Sequence, residues 1–268
     1  MEYYIVDVFS DEVFHGSQIG VCLPRYWPSE RDMQKIAAEN NLAATAFAVD
    51  IDGFYELRGF TPELELELCG SAVLAAAYVL FTCKGKAETV IFSTRSGLLL
   101  VENSIESEAL TAELPARRAT RCETPLGLES ALGVKLLETY SSNELLLVVL
   151  KNEDAVRNLC PDFESLKNLR ECFGVIVTAP GKDCDFVSRF FSPCAGLCED
   201  HVTASAHSVL VPYWSRRTGK QHLIAMQLSK RGGRLLCEDC GECVKISGSS
   251  RLYLSGEINL RGGNINNA

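Results

Sequence analysis

Two short stretches of the 268-residue chain hold side chains able to move a proton or grip an anion. One is Cys69-Gly70-Ser71-Ala72; the other is Asp200-His201-Val202-Thr203-Ala204-Ser205. Each stands immediately ahead of an apolar run suited to a buried helix. A helix start carries about half a positive charge and unpaired N–H groups, so it receives carboxylates or phosphates and steadies charge developing on them. Asp200 is then a candidate general acid or base, and His201 beside it a candidate proton shuttle. Cys69 at a helix start is expected to have its thiol pKa lowered, as a base or nucleophile requires. Simpler roles compete: Ser71 and Ser205 as caps, and most of the twelve Cys as small buried hydrophobes. An apolar cleft raises a carboxyl pKa while a helix dipole lowers it, so the charge on Asp200 stays open at this point.

These stretches belong to an internal repeat. Arg58-Gly59-Phe60-Thr61-Pro62, Cys69–Leu74 and Ser93–Leu100 recur in order as Arg189-Phe190-Phe191-Ser192-Pro193, Thr203–Ser208 and Ser229–Leu236. Two similar halves follow, 1–117 and 118–268, with the site in the cleft between them. Tyr3–Phe9, Leu57–Phe60, Thr89–Ser93 and Leu98–Val101 read as strands, and Cys237–Ile246 as a hairpin turning at Asp239-Cys240-Gly241. Ser71–Thr82 and Ala204–Trp214 read as helices apolar on every face, the second kinked or cut short by Pro212. Ser29 and Asp32 cap a surface helix that turns Met33, Ile36 and Ala37 inward. The simplest architecture that buries these segments is α+β: a barrel-like sheet wrapped around an apolar helix, made twice.

Composition narrows the function classes. With 47% hydrophobic and 23% charged residues the chain is an ordinary globular protein. A net charge of −9 with no basic run argues against nucleic acid and anionic membranes as partners. The acidic N-terminus lacks a signal-peptide pattern and no apolar run is long enough to span a bilayer, so the expected place is the cytoplasm with reduced thiols. His207, inside an apolar helix, reads as a core imidazole. Cys237, Cys240 and Cys243 have superficial zinc spacing but lie on a hairpin without a second CxxC pair, so no metal is expected.

The block Arg58–Ala77, Ser188–Pro193, Asp200-x-Val-Thr-x-Ser-Ala-His207 and Ser229-x-Arg-Gly-Gly233 resemble the PhzF-like (phenazine biosynthesis-like) proteins, as do Gln34–Ala37, Asn41-Leu42 and Thr45-x-Phe47. Tyr213-Trp214 with Gly219-Lys220 is similar to the animal members, described as MAWD-binding proteins. The resemblance implies the diaminopimelate-epimerase fold, homodimers, and a proton-transferring isomerase without metal or organic cofactor. Asp200 matches the family's active-site acid and Ser205 a substrate-contacting serine; Gly70, Ser71, Ala204, Gly232 and Gly233 join the expected substrate-binding positions. The family's catalytic glutamate follows Asn-Leu-Ser, but here Asn41-Leu42-Ala43 is followed by Ala44, and the usual histidine of Cys-Gly-His-Ala is Ser71. The family's Gly-Asn-Pro loop is Gly16-Ser17-Gln18, and His201 and Ala204 stand for Pro and Gly. Cys69 aligns with the first thiol of the epimerase relatives, while Thr203 stands where the second would be. The expectation is an isomerase acting on a small carboxylate with altered chemistry centred on Asp200, Cys69 and His201. The alternative is an inactive member kept as a binding or interaction protein with a protein partner.

Overall fold

A computed structural model describes residues 1–86, 88–104, 109–169 and 174–260. The first elements are β1 (Glu2–Val8), β2 (Ser17–Leu23), α1 (Glu30–Asn40), β3 (Ala44–Ile51), β4 (Phe54–Phe60), β5 (Glu65–Leu66) and α2 (Gly70–Lys84). Then come β6 (Thr89–Thr94), β7 (Gly97–Ser104), β8 (Ala109–Pro115), β9 (Thr120–Arg121), α3 (Leu128–Leu132), β10 (Glu138–Ser142) and β11 (Leu145–Val149). The chain continues with α4 (Glu153–Arg157), α5 (Phe163–Lys167), β12 (Gly174–Pro180), β13 (Phe186–Ser192), β14 (Leu197–Asp200) and α6 (Ala204–Thr218). It ends on β15 (His222–Gln227), β16 (Gly233–Asp239) and β17 (Cys243–Glu257). All the strands join one mixed sheet, so the chain is α+β.

Strand pairings come in corresponding sets. Antiparallel β1–β2, parallel β2–β3, antiparallel β3–β4 and β4–β5, parallel β4–β6, then antiparallel β6–β7 and β7–β8 make up the first. The second runs β10–β11, β11–β12, β12–β13, β13–β14, β13–β15, β15–β16 and β16–β17 with the same directions in the same order. The long β17 ties the two sets together, pairing through Cys243–Ser249 with β8 and through Ser250–Glu257 with β1.

α2 is apolar all round because strands surround it: Gly70 to Ala77, Val79, Leu80 and Phe81 are buried, packed on β1, β2, β3, β7 and β8. Full burial of Val73, Leu74, Val79 and Leu80 contributes about 1.5–3 kcal/mol each. α6 packs on β15, β16, β17 and the start of α2, so one apolar core runs through both helices. α1 starts as expected, with Asp32 N–H donating to Ser29 Oγ at 3.1 Å and Met33, Ile36 and Ala37 buried.

Pro212 does not end α6, which runs on to Thr218. Proline removes the N–H that the Ser208 carbonyl would normally accept from. Here the backbone N–H of Arg117 takes that place at 2.9 Å, so the segment after β8 completes α6. The hairpin also differs slightly from expectation: β16 and β17 turn through Gly241-Glu242, with Cys240 N–H donating to the Cys243 carbonyl at 3.0 Å.

Candidate active site

The starts of α2 and α6 meet head to head under a cavity of about 450 Å³. A Cβ on Gly70 would stand 2.8 Å from the Cβ of Ala204 and 3.0 Å from Leu114 Cδ1, so Gly70 is what lets the two helix ends approach. Cys69 and Thr203 are the N-caps, and the Thr203 side chain bonds no helix N–H as a cap. Ser71 and Ser205, read above as possible caps, each sit inside the first turn. The Ser71 hydroxyl donates to the Val202 carbonyl at 3.1 Å, a buried link between the repeats.

The strands before each helix are fixed by matching ion pairs. Arg58 on β4 grips Glu65 on β5 through Nε (2.6 Å) and Nη2 (2.5 Å), and its guanidinium lies 5.3 Å from the Phe60 ring centre. Arg189 on β13 grips Glu199 through Nε (2.7 Å) and Nη2 (2.9 Å) and lies 5.0 Å from the Phe191 ring. Bidentate guanidinium–carboxylate pairs fix direction as well as distance. Glu199 is thereby held, and Asp200 after it is carried into the cavity wall.

Asp200 differs from the other carboxylates of that wall in how it is held. Its Oδ2 accepts from Thr203 Oγ1 at 2.7 Å, while buried Oδ1 has no hydrogen-bond partner. Burial pushes the carboxyl pKa up, against the opposing pull of the Thr203 hydroxyl, His201 and the N–H groups of His201 and Val202. Desolvation therefore outweighs the helix start. Thr203 is braced in turn: its N–H donates to Gln227 Oε1 at 2.9 Å, and Gln227 Nε2 donates to the Asp200 carbonyl at 2.8 Å.

Cys69 also lines the cavity, but its thiol is not activated. Burial pushes its pKa up to about 12, and the neighbouring Asp200 adds to the rise, which the Ala72 N–H only partly offsets. The expected lowering at a helix start is thus reversed, because the sulfur lies too deep for water to stabilise a thiolate.

Gly70, Ser71, Ala204 and Ser205 line the cavity together with Asp200 and Cys69. Ala44 lies in the same wall at the first residue of β3 and brings only a methyl group there. His201, Gly232 and Gly233 are not among the lining residues. His201 is half-buried behind the wall, its Nδ1 unpartnered and its pKa lowered by burial, and its carbonyl accepts from Ser229 Oγ. Gly233 is small for packing: a Cβ there would meet Val202 Cγ2 at 2.4 Å. The Gly232 carbonyl accepts from Gly16 N–H at 3.0 Å, and Arg231 bonds buried Asp7 and the Gly16 carbonyl. The segment 229–233 therefore anchors the loop that leads to Ser17, which does line the cavity.

Sequence reasoning missed several wall residues. Arg117, the one basic residue of the lining among the described residues, comes from the segment after β8, and Asn143 and Glu144 come from the β10–β11 turn. Asn143 has φ 51°, the left-handed backbone that a Ser-Asn-Glu turn signals. Cys237 is buried while Cys240 is exposed, and among the described residues no cluster of three or more His, Cys, Asp or Glu is placed to hold a metal.

A profile of the phenazine biosynthesis-like proteins matches residues 6–257. The chain belongs to the PhzC–PhzF family. An uncharacterized isomerase of Pseudomonas aeruginosa is 46% identical over 95% of this chain and 97% of its own length. The human phenazine biosynthesis-like domain-containing protein is 37% identical over 87% of this chain and 89% of its own. A solved PhzF-family structure from Enterococcus faecalis superposes with a TM-score of 0.90, at 44% identity, over 97% of this chain and 99% of that one. A probable proline racemase from Agrobacterium radiobacter, 8% identical, covers 98% of this chain and 94% of its own with a TM-score of 0.69, which shows shared fold alone. The PhzF fold is thus common to this chain and to a racemase-type protein. Among the described residues, no helix is long and apolar enough to cross a membrane.

Proposed function

We propose that this PhzF-family chain is a cofactor-independent isomerase that relocates a proton on a small carboxylate, with Asp200 as the acid–base group. The observation that carries the reading is the Asp200 Oδ1 atom, buried and unpartnered in the wall of the cavity where two helix starts meet. The uncovered N–H groups of the first turns and the Ser205 hydroxyl receive the substrate carboxylate. Asp200 then takes a proton from a carbon beside it and returns it to another carbon on the same face, so one carboxyl serves both directions. A pKa raised by burial suits a group that must exist in both forms. Neutral Cys69 lends a polarisable wall and no base, and His201 tunes Asp200 from behind.

Within the same proposal the molecule is a duplicated unit, 1–117 and 118–268, each a barrel-like sheet around its own helix; the matching strand pairings and Arg–Glu grips support it. In this reading the enzyme works in the cytoplasm, and the analogy with the family makes it a homodimer. The test is solvent deuterium wash-in across a panel of cyclic and amino-acid carboxylates. Exchange at carbon that disappears in Asp200→Asn supports the reading. No exchange from the wild type, with exchange appearing in Ala44→Glu/Ser71→His, overturns it.

A second reading rests on Ala44, whose methyl cannot exchange a proton: the chain then binds a carboxylate, or a protein partner, without turnover. A carboxylate that raises the Tm without any exchange favours it.

A further inference from the structure

Outside the cavity, the β16–β17 hairpin brings two thiols together at its tip. The register Leu236↔Ser247, Cys237↔Ile246, Glu238↔Lys245, Asp239↔Val244 continues to set Cys240 opposite Cys243. Their backbones are joined by the 3.0 Å bond from Cys240 N–H to the Cys243 carbonyl, around the two-residue loop Gly241-Glu242 with Gly241 at φ 87°. Directly opposed, hydrogen-bonded residues of an antiparallel pair have Cα atoms about 5.5 Å apart, inside the span a disulfide bridges. Opposed residues also point to the same face of the sheet. Here that is the outer face, shared with Glu113 of β8, where the Cys243 thiol is hydrogen-bonded to both Cys240 and Glu113. Cys237, three residues upstream, is turned into the core and cannot take part.

We propose that Cys240 and Cys243 are a reversible dithiol–disulfide site whose co-reactant is a small disulfide of the glutathione type. The exposed Cys240, as thiolate, attacks one sulfur of the oxidised co-reactant; a mixed disulfide forms and one reduced thiol leaves. Cys243 then gives its proton to solvent or to Glu113 and attacks Cys240 sulfur, releasing the second thiol. Two protein thiols are oxidised by two electrons to one disulfide, and one disulfide is reduced to two thiols. Cys243 is the resolving thiol, because burial and Glu113 push its pKa up to about 11.

The hairpin tip also touches the cavity's frame. The Glu242 carbonyl, inside the loop, accepts from Ala116 N–H at 3.0 Å, and Ala116 precedes Arg117 of the cavity lining. Closing the bridge therefore stiffens the backbone that carries Arg117.

The experiment equilibrates the whole protein with reduced and oxidised glutathione, quenches with an alkylating agent and maps the tryptic peptide Leu235–Lys245 by mass spectrometry. That peptide carries Cys237, Cys240 and Cys243 together. The expected product has lost two hydrogens and carries one alkyl group, on Cys237. An internal disulfide depends on the square of reduced glutathione over the oxidised form. Tenfold dilution of both at fixed ratio should thus raise its oxidised-to-reduced ratio tenfold, while a mixed disulfide at exposed Cys160 stays constant. Cys240→Ser and Cys243→Ser should each abolish the two-hydrogen loss, and Cys237→Ser should leave it. A bridge involving Cys237, a peptide alkylated three times at every ratio, or only glutathione adducts would overturn the proposal.

Discussion

The two helix starts share a frame and differ in what it holds. In the first repeat Gly59 of β4 is opposite Leu66; in the second, Phe190 of β13 is opposite Asp200. Both positions follow a strand held by an Arg–Glu grip, and both Leu66 and Asp200 line the cavity. The grip is more heavily used in the first repeat, where Glu30 also bonds Arg58 and Arg95 also bonds Glu65. Yet among the described residues the buried carboxylate oxygen without a partner, Asp200 Oδ1, belongs to the second. Matching grips position both helix starts, while the carboxyl proposed as the acid–base group stands on one side. The wall around Asp200 holds Leu66, Cys69 and Ala44 and also three further carboxylates, Glu65, Glu67 and Glu144, of which Glu65 is held by Arg58 and Arg95.

The largest expected effect follows directly. Asp200→Asn should lower proton exchange by about 10²–10⁴-fold, the usual worth of a positioned acid–base group, measured by deuterium incorporation. The same substitution should make the protein more stable at neutral pH. A carboxyl whose folded pKa is raised binds protons more readily folded than unfolded, so it stabilises least above its folded pKa and regains stability as pH falls. The gain in Tm of Asp200→Asn over wild type should accordingly shrink towards acid pH. A constant or growing gap would show that burial does not raise the carboxyl's pKa.

Much of this was legible in the residues. The repeated Arg-x-Phe-x-Pro and small-residue blocks fall at matching places in the two sets of strand pairings, and Ser29-x-x-Asp32 marked the start of α1. Continuous apolarity of 71–82 announced a helix enclosed on all sides. Periodicity could not show the rest. Arg117 reaches the cavity because Pro212 leaves the Ser208 carbonyl open, a link between residues far apart in the chain. The Cys69 thiol was misjudged because a helix start is visible in sequence whereas depth is not. Gly232-Gly233 read in sequence as ligand contacts, but Gly233 is small to admit Val202, while Gly232 takes a φ of 66° and offers its carbonyl to Gly16.

The next effect in size again separates the repeats. Position 73 of α2 is Val, and its counterpart in α6 is His207, wholly buried, with Nδ1 2.8 Å from the Thr203 carbonyl. Burial lowers its pKa from 6.5 to about 4. The unfolded chain therefore binds a proton first, so this stability is complete above pH 6.5 and is lost as pH falls toward 4. The loss amounts to about 3 kcal/mol at about 1.4 kcal/mol per pH unit. Urea denaturation across that window should show a shallower acid slope for His207→Gln than for wild type, and equal slopes would remove the second helix as the acid-sensitive one.

Contact between the helices is tested by Gly70→Ala. The new methyl meets Ala204 and Leu114 closer than side chains tolerate, so the cost should be about 1–3 kcal/mol of overpacking. Adding Ala204→Gly should return most of it, leaving the part owed to Leu114. If the double variant is no more stable than Gly70→Ala alone, the head-to-head approach of the helix starts is not what excludes a side chain.

The smallest effect distinguishes the two serines that occupy matching places. Ser71 Oγ donates to a buried carbonyl of the other repeat, so Ser71→Ala strands the Val202 oxygen and should cost about 1 kcal/mol in unfolding free energy. Ser205 contributes its own carbonyl to Ser208 Oγ at 2.6 Å, a bond that survives removal of the Ser205 hydroxyl. Ser205→Ala should therefore leave unfolding almost unchanged and weaken carboxylate binding instead, read by ligand-induced shifts in Tm. The reverse pattern would put the substrate-facing hydroxyl in the first repeat, and with it the carboxylate grip on the side away from Asp200. Because Asp200 reaches only carbons near the bound carboxylate, that outcome would also change which carbon it could deprotonate.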